Sequence, residues 1–124
     1  MSQSILLILE KILMQRQISA EKQDKFINFF KLYSLGNWVY PGVLKRKTKI
    51  PIKEIYIILS ELEVQGILKS YFEIICNECN KTEGEVYESI DDIPKDLLCE
   101  ICGRPINSSK NTILIYKVTG DGDK

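Results

Sequence analysis

The sequence predicts an α+β chain, helical through about residue 65 and built after that as a small antiparallel β unit. Three observations carry this prediction. Apolar residues recur at helical spacing between residues 4 and 65. After Gly66 that period gives way to short runs rich in β-branched and aromatic residues. Two Cys-x2-Cys pairs, Cys76/Cys79 and Cys99/Cys102, then punctuate the β-rich part.

Residues 4–16 read as the first helix, with Ile5, Ile8, Leu9, Ile12 and Leu13 at helical spacing. Leu6 and Leu7 widen its apolar face, so this helix packs on the domain behind it or pairs with a second chain. Ser19 is placed as the N-cap of a second helix, with Glu21 in the first turn. That helix is expected to run to about Leu35 on a stripe of Phe26, Phe29, Phe30 and Tyr33, with Gly36 as its stop. Asn37 to Pro41 reads as an extended link holding Trp38. A brief helix through Val43–Lys47 follows, then a turn at Thr48-Lys49-Ile50. Pro51 opens the next helix, about 51–65, whose inward residues are Ile55, Ile58, Leu59 and Leu62. Gly66 ends it, and Ile67-Leu68 with Tyr71–Ile75 read as strand. Further strands are expected at Glu85–Ser89 and Thr112–Val118. Asp91–Asp96 reads as a turn or short helix, and residues 120–124 as a frayed tail.

Nineteen residues separate the two cysteine pairs, within the spacing of a tetrahedral four-thiolate zinc site. Two intervening residues allow a tight turn that aims both sulfurs at one ion about 2.3 Å away. Gly103 supplies positive φ after the second pair, and Asn80 can do so after the first. The assignment is one structural Zn²⁺ on Cys76, Cys79, Cys99 and Cys102. Iron also suits four thiolates and is the lesser alternative. Two disulfides would need an oxidising compartment. Four cysteines close the coordination shell, so the metal is placed as structural and not catalytic.

The helix–turn–helix order carried by Leu44, Ile50, Ile55, Leu59, Leu62, Gly66, Ile67 and Leu68 resembles the winged helix-turn-helix family. The cysteine pairs with their flanking strands resemble a zinc ribbon. In module order the whole is similar to the alpha subunit of the general transcription initiation factor E and to small prokaryotic winged-helix/zinc-ribbon regulators. The corresponding division is residues 1–70 for the N-terminal helix and winged helix, 71–119 for the ribbon, and 120–124 for the tail.

Charge separates along the same line. The chain has 17 basic and 17 acidic residues, yet residues 1–70 carry eleven basic against six acidic and residues 71–124 the reverse, six against eleven. There is no histidine, which excludes imidazole-based hydrolysis and His-ligated metals. No nucleophile–base pair can be assembled, so the expectation is a binding protein and not an enzyme. The winged-helix resemblance implies DNA as partner. Lys45, Arg46, Lys47, Lys49 and Lys53 cluster around the turn that would meet phosphates. Glu54, Glu61 and Glu63 on the following helix oppose reading of bases, while Ile52, Tyr56 and Ile57 suit contact with protein. Two functions therefore stand: a nucleic-acid-binding regulator with weak sequence specificity, or an adaptor joining proteins in a prokaryotic complex.

Glu10 and Lys11 interrupt the Ile5–Leu9 run, with no basic segment before it and no cleavage site after it, so no export signal is read. No run reaches the ~18 apolar residues of a membrane span. The expected location is the cytoplasm. A two-fold homodimer through the first helix is the further partner reading.

Overall fold

A computed structural model describes residues 3–76, 82–94, 97–99, 102–106 and 111–120. It is α+β. Among the described residues there are four helices: α1 (Gln3–Gln15), α2 (Ala20–Phe30), α3 (Pro41–Thr48) and α4 (Ile52–Val64). The strands are β1 (Trp38–Val39), β2 (Leu68–Ile75), β3 (Thr82–Tyr87), β4 (Leu97–Leu98), β5 (Pro105–Ile106) and β6 (Thr112–Val118). One sheet has the order β1-β6-β2-β3, and β4 pairs with β5 in a second. No helix is long and apolar enough to cross a membrane among the described residues.

The chain divides into two units, residues 1–69 with 116–124, and residues 70–115. In the first, α1 buries Ile5, Leu9, Ile12 and Leu13 and leaves Leu7 and Met14 on its outer face. Its end is locked without glycine. Gln17 takes a left-handed φ of 57°, while the N–H groups of Gln17 and Ile18 donate to the Met14 and Leu13 carbonyls. That pair of bonds satisfies two carbonyls that a helix end leaves open. The same device closes α4. Gly66 (φ 80°) and Ile67 donate to the Glu63 and Leu62 carbonyls, and the apolar partners Ile67 and Leu62 are both buried.

Ser19 caps α2, its hydroxyl accepting from the Lys22 N–H at 3.4 Å. The helix stops at Phe30, five residues short of the expected Leu35, because the N–H groups of Leu32 and Tyr33 turn to i−3 carbonyls. Leu32 and Leu35, beyond the helix end, are exposed. Gly36 is not the helix stop. With φ 87° it turns the chain into β1, and its N–H donates to the Val118 carbonyl at 2.8 Å.

Strand β1 is the element the sequence did not reveal. It is two residues long and exists through antiparallel pairing with β6, Trp38 opposite Lys117 and Val39 opposite Tyr116. The Lys117 ammonium also lies 5.4 Å from the centre of the Trp38 ring, within cation–π range. This pairing places Tyr116–Val118 with the helices, whereas the sequence division left all of β6 in the ribbon. The third strand begins at Thr82, earlier than the expected Glu85, and pairs with β2 with a register shift between Glu73 and Ile75. A one-turn 3-10 helix, Ile90–Asp92, occupies the start of the acidic segment.

Candidate metal centre and basic turn

Residues 70–115 hold a small buried cluster of Ile74, Cys76, Ile93, Cys99 and Ile106, with Phe72 and Tyr87 packed against it. Cys76 follows β2 directly. Cys99 and Cys102 occupy the turn between β4 and β5, whose register pairs Leu97 with Ile106 and Leu98 with Pro105. That turn is tightly specified. The Cys99 N–H donates to the Arg104 carbonyl at 2.9 Å, and the Gly103 N–H donates to the Cys99 carbonyl at 2.7 Å. Gly103 has φ 74°, the left-handed conformation expected of it. The Cys102 N–H donates to Cys99 Sγ at 3.5 Å.

The Sγ atoms of Cys76, Cys99 and Cys102 all lie within 4.8 Å of one another. The Cys76 and Cys102 sulfurs are 3.5 Å apart. Sulfurs sharing a tetrahedral zinc at ~2.3 Å would stand about 3.8 Å apart, whereas a disulfide needs about 2.05 Å. The three residues are free thiols in a geometry that could hold one metal ion. Cys76 and Cys99 are almost fully buried and Cys102 is exposed. Cys79, the fourth expected ligand, and Asn80 lie outside the described residues.

The second candidate site is the connection between α3 and α4. Thr48 is buried and makes the turn: its hydroxyl donates to the Leu44 carbonyl at 2.7 Å and accepts from the Ile50 N–H at 3.3 Å. Lys49 adopts a left-handed φ of 63°, its N–H bonded to the Lys45 carbonyl. Leu44 and Ile50 are buried on either side, so Lys45, Arg46, Lys47 and Lys49 are turned outward, and Lys53 is exposed in the first turn of the next helix. None of the five forms an ion pair among the described residues.

The acids on α4 are placed differently from one another. Glu54 is gripped by Arg16 in a two-pronged contact, Nε to Oε2 and Nη2 to Oε1, each 2.9 Å. The hydrogen bond from Arg16 holds the Glu54 carboxyl below its ordinary value, and Lys53 adds to that effect. The Arg16 guanidinium is raised in turn by its bond to Glu54 and, more weakly, by Glu61. Glu61 and Glu63 are half-buried. The proposed protein-contact residues Ile52, Tyr56 and Ile57 are also half-buried rather than open, and burial raises the Tyr56 hydroxyl. Arg16 was missing from the sequence-derived site. It stands 38 positions from its partner, and no local pattern links the two.

Comparison with protein-family models, curated proteins and solved structures gives no match.

Proposed function

We propose that this protein is a non-enzymatic nucleic-acid-binding module, a winged helix-turn-helix joined to a zinc ribbon and acting in a regulatory or transcription-related setting. The observation that carries the reading is the outward-facing basic turn of Lys45, Arg46, Lys47, Lys49 and Lys53, which forms no ion pair among the described residues while the adjacent acid Glu54 is tied to Arg16. The element order α2-β1-α3-α4-β2, with β6 returning between β1 and β2, supports the winged-helix part.

Duplex DNA is the partner this turn suits, through phosphates rather than bases. The exposed side chains of α4 are Lys53, Ser60 and Val64, and its C-terminal half carries two acids. That is a poor set for hydrogen-bonding base edges. The metal reading rests on the three converging sulfurs together with the spacing of Cys79, which would complete a closed Zn²⁺ shell. Bound zinc would organise residues 70–115 and leave no open coordination position for catalysis.

The test is binding of a labelled duplex at two salt concentrations. With five phosphate contacts, affinity is expected to fall several hundredfold between about 50 and 200 mM salt. The triple variant K45E/R46E/K47E is expected to abolish it. Binding that ignores salt, or survives that triple change, overturns the reading. The adaptor alternative keeps one specific support: Ile90 and Leu98, at 63% and 60% exposure, are open apolar side chains on residues 70–115. The outer face of α1, with Leu7 and Met14 exposed, supports self-association in the same way.

A further inference from the structure

The α4 helix presents a difficulty for any phosphate-binding turn at its N-terminus. Glu54 lies in its first turn, next to Lys53 and five residues beyond Lys49. A carboxylate there, left to itself, sits well within one Debye length (about 8–10 Å) of the turn and repels the same phosphates that the lysines attract. Arg16, at the end of α1, removes this difficulty. Both of its hydrogen bonds to Glu54 are 2.9 Å, and the two side chains keep 34% and 29% of their surface exposed. The pair is too open to contribute much to stability. Its geometry is nonetheless the planar fork that fixes a carboxylate in one orientation.

We infer that Arg16 is a positioning residue for the nucleic-acid face: by clamping and neutralising Glu54 it keeps the α3–α4 turn electropositive. Arg16 acts through Glu54 and makes no contact with nucleic acid itself. The helix α1 thereby gains a task beyond packing, because the residue that directly follows it sets the charge at the start of α4. This inference rests on the nucleic-acid reading above.

The experiment is a two-by-two set in the full-length chain, wild type, R16Q, E54Q and R16Q/E54Q. Each is titrated against the same labelled duplex of about 20 base pairs at about 50 and 200 mM salt, with thermal melts alongside. R16Q is expected to weaken binding about three- to tenfold at low salt by baring Glu54, and the deficit should shrink at the higher salt as screening grows. E54Q is expected to tighten binding by a few-fold, because Arg16 is then an uncompensated cation. The double variant is expected to return to within about twofold of wild type, since it restores neutrality without restoring the bond. A double variant as weak as R16Q would mean that the bond only props the helices, and would overturn the inference. So would equal binding across the set when K45E/R46E/K47E still abolishes it, a result that leaves the nucleic-acid reading standing. A wild type that retains no duplex at low salt overturns both.

Discussion

In the helical unit Phe26, Phe30, Leu44, Ile50, Ile55, Ile58, Leu59 and Leu62 are fully buried. In residues 70–115 the buried cluster is Ile74, Cys76, Ile93, Cys99 and Ile106, so two of its five members are cysteines. The first unit has enough apolar side chain to close a core by packing. The second reaches the size at which small domains need a staple, and its best-placed groups are sulfurs. The helical unit, which carries the basic turn, is held by hydrophobic burial, whereas residues 70–115 bring together three sulfurs that could hold a metal ion. Each arrangement has its own vulnerabilities, and three measurements separate them.

The largest difference is expected on removing metal. Chelation, or Cys99→Ser, should collapse the amide dispersion of residues 70–115 in proton–nitrogen correlation spectra while amides of α1–α4 stay dispersed. Structural zinc sites contribute on the order of 10 kcal/mol to the fold they organise. Elemental analysis of the untreated protein should find one zinc per chain. A metal-free chain with unchanged spectra would erase the distinction between the units.

A smaller effect of the opposite selectivity is expected from Leu59→Ala. Leu59 is fully buried in α4, and truncating such a residue costs about 2–5 kcal/mol through lost burial and the cavity left behind. Urea unfolding followed by helical circular dichroism should show this loss, while the folded fraction retains its metal. Loss of metal from still-folded Leu59→Ala protein would mean that the two units do not fail separately.

The smallest effect is alkaline. Burial, with help from Glu63, pushes the Tyr116 hydroxyl up to about 12 from an ordinary value of 10.0. A tyrosine whose folded value is raised contributes stability that is complete below pH 10 and lost as pH rises from there through about 12. The loss attributable to Tyr116 is roughly 2–3 kcal/mol across that window. Burial shifts Tyr33 and Tyr56 in the same direction, so the helical unit should show the slope most strongly. Tyr116→Phe should flatten part of it in melts recorded between pH 9 and 12. A variant with the wild-type slope would remove Tyr116 from the account.

Much of the fold was legible because its signals are local. The buried residues of α1 and α4, the Ser19 cap, the Gly66 exit and the Gly103 turn are each specified within a few residues of chain. The convergence of Cys76, Cys99 and Cys102 was legible because a metal site tolerates few ligand spacings. Where the reading slipped, the deciding partner was distant. The stripe ending at Tyr33 and a stop at Gly36 predict helix to about Leu35, yet the chain there turns toward β6, more than eighty positions away, through the Gly36–Val118 bond.

The sequence by itself determined the α+β class, the order of the helices, the basic turn and the cysteine ligands available to a metal, since periodicity, capping and ligand spacing act over short range. Only the tertiary structure decided that β1 exists, that the end of β6 belongs with the helices, and that Glu54 is answered by Arg16. Those three facts depend on groups separated by tens of residues, which meet because burying the helix faces brings them together.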